Sequence, residues 1–291
     1  MKIIDIGEIL WDLIDGQEYL GGAPFNFAVH ASRLGHDVSF VSAVGDDARG
    51  ERALARAAAH GISTDLIKRG ADRDTGIVDV VIGNAGQPSY TIRRPAAYDF
   101  PVLSDAEMDS LAAQRPDWIY FGTLQQTSAD ARDLTRRLLD ANPSAGRFYD
   151  VNLRRNCYDA DLVSELLGLA SVVKLNDDEA IELGAMVGLP GDSLERFCLE
   201  GQRRYGWTGV CITRGERGCS LLLGEHYVER PGQTVKVADT VGAGDAFSAA
   251  FLHGLAEGWD ATRIADFANR VGALVASRAG ATPAWEPSEL L

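Results

Sequence analysis

From Ser104 to Thr213 the chain alternates short apolar runs with helical patterns, and that alternation limits the folds open to it. Ser104-Asp105-Ala106-Glu107 forms a capping box at a helix start, and Trp118–Phe121 is a continuous apolar strand. A helix over Ser128–Asp140, a strand over Arg147–Val151, a helix over Asp161–Leu169 and a strand over Val172–Leu175 follow. Helices over Asp177–Met186 and Leu194–Tyr205 lead to the strand Val210–Thr213. Strands this short and apolar are covered on both faces, and the helices between them supply crossovers to parallel neighbours. The expectation is an α/β fold, a mostly parallel central sheet with helices on both faces.

The flanking segments extend this pattern. Lys2–Gly7 and His36–Ala43 read as further strands. Pro24 suits the first turn of a helix reaching Leu34 and stopped by Gly35, and Gly50–His60 is a helix closed by Gly61. Ile9–Leu20 alternates as a strand pair turning at Asp15-Gly16. Thr75–Ile82 and Ser89–Ile92, joined by a Gly83-Asn84-Ala85-Gly86 turn, complete a small separate sheet exposed on one side. Cys219–Leu223 and His226–Glu229 form a hairpin, and helices over Gly244–Glu257 and Thr262–Arg278 end the chain. With no repeat or long linker, residues 1–291 read as one domain.

Charge narrows the ligands. Lys and Arg number 28 against 42 Asp and Glu, a net charge of −14, and no basic block stands out. Nucleic acid and anionic membranes, which need a cationic surface, are excluded as partners. No apolar run approaches the roughly 18 residues of a membrane helix. Met1-Lys2-Ile3-Ile4-Asp5 carries no signal-peptide pattern. Cys157, Cys198, Cys211 and Cys219 lack metal spacing and read as thiols of a cytoplasmic protein.

Ligands of open α/β sheets bind beyond the carboxyl ends of the strands. There the chain is polar and Gly-rich: Gly122-Thr123, then Asn152 and Arg154, then Asn176 and Glu179, then Arg214-Gly215-Glu216-Arg217-Gly218. In Asp239-Thr240-Val241-Gly242-Ala243-Gly244-Asp245-Ala246-Phe247, two glycines flank one alanine just before a helix with Phe247, Ala250, Phe251 and Leu255 on one face. Free N–H groups at such a helix start bind anions. Asp245 either complements the helix dipole, for about 0.3–1 kcal/mol, or is a general base taking a hydroxyl proton as a phosphoryl group arrives. There is no Gly-x-x-x-x-Gly-Lys-Ser/Thr run, and Phe247 stands where a dinucleotide fingerprint needs its third glycine.

Other motifs have two readings each. Gly21-Gly22-Ala23-Pro24-Phe25-Asn26 is a helix-entry turn, or a place where a sugar packs on backbone while Asn26 bonds a hydroxyl. Asn176-Asp177-Asp178-Glu179 is a helix cap, or a pair that positions hydrated Mg²⁺ on nucleotide phosphates. Asp150, Asn152 and Arg154 sit at a strand end, where Asn152 and Arg154 face one cleft, or they belong to a surface loop. His30, His36, His60, His226 and His253 have no suggestive partners and read as structural.

In this order the motifs resemble the PfkB, ribokinase-like family of ATP-dependent carbohydrate kinases, over essentially the whole chain. The resemblance implies a ribokinase-like fold in which segments 9–20 and 75–100 form a lid that covers the sugar and in relatives often dimerises. It implies Asp245 as catalytic base, with Gly242, Ala243 and Gly244 supplying anion-hole amides. Asp12, Gly22, Asn26, Tyr98, Asn152 and Arg154 would hold the sugar. Asn176, Thr213, Gly215, Gly218 and Asn269 would hold ATP, Glu179 would act on Mg²⁺ through water, and Asp239 and Gly280 would flank K⁺. Gly7-Glu8-Ile9-Leu10-Trp11-Asp12 with Gly21–Pro24 looks most like fructokinases, implying transfer to a primary hydroxyl of a ketohexose. Tyr90 and Arg93 keep a 2-keto-3-deoxygluconate kinase open, with Arg93 or Arg94 pairing with a sugar-acid carboxylate. A non-catalytic sugar or nucleotide sensor on the same fold is the alternative of a different class.

Overall fold

The computed structural model describes residues 1–70, 72–82 and 88–290. The turn expected at Gly83-Asn84-Ala85-Gly86 lies outside the described residues. The first part of the chain runs β1 (Lys2–Ile6), β2 (Leu10–Ile14), β3 (Gln17–Gly21), α1 (Ala23–Arg33), β4 (Asp37–Gly45), α2 (Ala48–Ala59), β5 (Ile67–Gly70), β6 (Gly76–Ile82) and β7 (Pro88–Arg93). The middle runs α3 (Asp105–Ala113), β8 (Trp118–Gly122), α4 (Thr123–Gln126), α5 (Ala129–Ala141), β9 (Gly146–Asp150), α6 (Ala160–Leu169) and β10 (Val172–Asn176). It ends with α7 (Asp177–Val187), α8 (Leu194–Tyr205), β11 (Gly209–Thr213), β12 (Cys219–Leu223), β13 (His226–Arg230), α9 (Ala243–Ala256) and α10 (Ala261–Ala276).

Among the described residues the strands form two sheets. The larger has the order β13-β12-β11-β10-β9-β8-β1-β4-β5. It is parallel from β11 to β5, and the β12–β13 hairpin extends it antiparallel. Alternation along each strand feeds two cores. Phe40, Tyr120, Phe148 and Val172 pack with residues of α1, α9 and α10 on one face. Val41, Phe121, Tyr149 and Val173 pack with α5, α6, α7 and α8 on the other. The smaller sheet, β3-β2-β6-β7, is mixed, since β2 and β6 run parallel. Its Leu10, Val78 and Val80 pack on Ala96, Tyr98 and Leu124.

Two features depart from expectation. Helix α9 is not half-exposed: Ala246 through Leu252 are all buried, because α1 and α10 cover it on one side and the sheet on the other. The edge strand β5 and the one-turn helix α4 are additions. The Ile67-Lys68-Arg69-Gly70 sequence has a single apolar residue and so carries no strand signal of its own.

Candidate active site

Two helix starts meet at the carboxyl ends of the central strands. Gly242 precedes α9 at φ 78°, and a side chain there would overlap the backbone of Ala281. Glycine alone tolerates both conditions. The resulting turn leaves the N–H groups of Gly242, Gly244 and Asp245 without an acceptor among the described residues. The Ala243 amide, expected in the anion hole, instead donates to the Thr240 carbonyl at 3.3 Å, because it closes the turn itself. At the other helix start, Gly22 has φ 108° and approaches the Glu8 carbonyl too closely for any Cβ, which brings α1 against the loop after β1.

Asn26 in the first turn of α1 donates from Nδ2 to Asp245 Oδ2 at 2.8 Å. Asp245 is half-buried. Desolvation pushes its carboxyl up to about 6; Asp150 adds to the rise, while Lys174, Asn26 and Arg154 oppose it. A carboxylate so placed is a proton acceptor near neutral pH. Asp12 on β2 is likewise raised to about 6 by desolvation, against Arg154. Tyr98 is fully buried against the small sheet, and its hydroxyl has no partner among the described residues. Asn152 sits at φ 36°, which asparagine tolerates, and Arg154 two residues on is exposed. Of these residues, Asn26 bonds Asp245 and Arg154 acts on it electrostatically, and Arg154 also acts on Asp12.

On the other side, β10 and β11 place Asn176 and Thr213 side by side in register. Asn176 Oδ1 accepts the Glu179 N–H at 2.8 Å, and Glu179 Oε2 accepts the Asn176 N–H at 2.8 Å. Glu179 Oε1 accepts the Leu153 N–H at 2.8 Å, so the cap orients a buried carboxylate toward the β9 loop. Gly215 and Gly218 turn the loop after β11 at φ 57° and 89°. Asn269 on α10 donates to the Pro231 carbonyl at 3.2 Å, beside that loop's packing partner Gly232. Asp239 accepts N–H groups of Val241 and Gly280, each at 3.0 Å, and ties together the loops that flank the turn before α9. Among the described residues no cluster of three His, Cys, Asp or Glu side chains could hold a metal. A lone Glu179 fits Mg²⁺ held through water and phosphates better than a protein cage.

Asp5, Glu8 and Lys174, to which the sequence reading gave no site role, face this site together with Asp150 at the end of β9. Asp5 and Glu8 are buried, and Asp5 has no partner on either carboxylate oxygen. Lys174 Nζ lies 3.1 and 3.2 Å from the two oxygens of Asp150. The available signal was a charge interrupting a run buried on both faces: Asp5 in Ile3-Ile4-Asp5-Ile6 and Lys174 in Val172-Val173-Lys174-Leu175. Arg93, considered for a carboxylate ligand, is spent on Asp79 through two 2.6 Å bonds, and Arg94 is held by Asp99.

The profile of the pfkB family of carbohydrate kinases matches residues 9–288. A fructokinase from Klebsiella pneumoniae is 29% identical, covering 88% of this chain and 84% of that protein. A fructokinase from Xylella fastidiosa with bound ATP superposes with a TM-score of 0.85 at 26% identity, over 99% of this chain and 96% of the other. An uncharacterized sugar kinase from Pyrococcus horikoshii superposes at 0.86 with 30% identity, over 100% and 96%. The chain belongs to the pfkB carbohydrate kinase family and is an ATP-dependent sugar kinase. Its fold is ribokinase-like. No helix among the described residues is long and apolar enough to cross a membrane.

Proposed function

We propose that this kinase transfers the γ-phosphoryl group of ATP to a primary hydroxyl of a ketohexose, D-fructose first. The observation that carries the reading is Asp245, raised to about 6 and bonded to Asn26, beside the unpaired N–H groups of Gly242 and Gly244. Asp245 accepts the hydroxyl proton while those amides and the α9 dipole stabilise charge on the transferred group. Asp12, Gly22, Asn26, Tyr98, Asn152 and Arg154 hold the sugar under the lid, and Asn176, Thr213, Gly215, Gly218 and Asn269 hold ATP. Glu179 holds Mg²⁺ through water, where the ion neutralises phosphate charge, and the Asp239–Gly280 tie flanks a K⁺ site. A Vibrio cholerae fructokinase variant solved in a form with fructose, ADP and potassium ion bound supports a role for that ion. We further read residues 1–291 as one domain with its lid at 9–20 and 75–100, in the cytoplasm, where the free thiols of Cys157, Cys198, Cys211 and Cys219 persist. The lid's exposed Tyr19 and Tyr90 support dimerisation there.

Fructose is supported by the fructokinases among the relatives and by the commitment of Arg93 and Arg94 to their own acids. One observation favours a sugar acid instead: Arg154 has no ion-pair partner among the described residues, and its charge acts on Glu8, Asp12 and Asp245. A panel of fructose, ribose and 2-keto-3-deoxygluconate with MgATP decides between them. The expected result is the highest kcat/KM on fructose. A preference for 2-keto-3-deoxygluconate that Arg154→Ala abolishes overturns it.

A further inference from the structure

Beneath the turn before α9 lies a buried ion pair between Lys174 and Asp150. Lys174 on β10 and Asp150 on β9 are direct neighbours in parallel register. Both side chains point to the face covered by α9, as alternation from Val172 and Phe148 requires. Lys174 Nζ contacts both oxygens of Asp150 and stands 3.4 Å from where a Gly244 side chain would begin, so α9 starts directly above the ammonium. Asp150 Oδ2 also accepts the Tyr120 hydroxyl at 3.0 Å and the Ser248 hydroxyl at 2.8 Å, the latter one turn after Asp245 on α9. A pair with its spare lone pairs this fully used is fixed in place.

We propose that Lys174 and Asp150 are positioning residues whose opposite charges set the proton affinity of Asp245 from below. This rests on Asp245 being the base. The groups facing Asp245 are Asp5 on β1, Glu8 after it, Asn26 on α1, Arg154 after β9, Tyr120 on β8, Asp150 and Lys174. Glu179 on α7 acts on Lys174 from the nucleotide side. Among these, Lys174 is the buried cation, and without it a carboxylate among acids would keep its proton through neutral pH. Asp150 counters part of that pull, which leaves Asp245 basic enough to accept a proton.

Two substitutions at one ion pair then act in opposite directions, which loss of structure alone cannot do. Charges within about 4–6 Å move a carboxyl by roughly one to three pH units. In the pH profile of kcat/KM, Lys174→Met moves the acid limb up by about one unit or more, and Asp150→Asn moves it down. The double variant lies between the singles. Lys174→Arg, which keeps the charge, leaves the limb near its wild-type position, and with Asp150→Asn it decides the matter if Lys174→Met does not fold. Limbs that stay in place, or shift the same way in both singles, overturn the proposal. Asp245→Asn in the wild-type background separates the two levels: if turnover survives it, the base assignment fails, whereas if turnover is lost and the limbs do not move, only the role of the pair fails.

Discussion

Burial raises the Glu8 carboxyl to about 7, with Asp245 adding and Arg154 and Arg94 opposing. Its Oε2 has no partner, so the ionised form is poorly solvated. The linkage has a definite sign. A carboxyl whose folded pKa lies above its unfolded value binds more protons in the native state, so its contribution to stability is present below the unfolded value and is lost as pH rises through about 7. Glu8→Gln removes that loss. Its unfolding free energy from denaturant titration is expected to exceed wild type at pH 8, by on the order of 1–3 kcal/mol, and to match wild type near pH 4. Equal effects at both pH values contradict the assignment. Asp245 was legible in the sequence because two glycines and a helix start framed it. Glu8 was not, since nothing in Gly7-Glu8-Ile9 tells which acid the fold turns inward.

Element boundaries followed from periodicity and punctuation almost throughout. The capping boxes at Ser104 and Asn176 stand where spacing put them, and so do the glycine stops after α1 and α2. What spacing misjudged was how an element is surrounded. Helix α9 read as one-sided from Phe247, Ala250, Phe251 and Leu255, yet Ser248 off that face is buried against Asp150. The turn before α9 gives a test at this scale. Gly242→Ala adds a clash with Ala281 to a left-handed φ, so it should cost about 1–3 kcal/mol and lower kcat by displacing the Gly244 amide and Asp245. Gly258→Ala is the control. Its φ of 65° is also left-handed but its surroundings are open, so it should cost about 1–2 kcal/mol with kcat unchanged. Equal kcat losses in both variants would remove the special role of the Gly242 turn.

At the scale of the molecule, the site exists only because the sheet order brings distant segments together. Asn26 and Asp245 are 219 positions apart and share one hydrogen bond. The switch between β8 and β1 at the middle of the sheet brings the β1 loop and α1 beside the ends of β9 and β10. The chain's order of motifs suggested this assembly, and the fold class followed from the strand-helix alternation. The ion pair under α9 required the register of β9 against β10, which no single segment encodes. One measurement bears most directly on the account: turnover of Asp245→Asn on fructose and MgATP, with ATP affinity measured alongside by calorimetry. A general base contributes about 10²–10⁴-fold, so kcat should fall by about that factor while ATP binds nearly as before. Near wild-type turnover in that variant would contradict the assignment of Asp245 as the base.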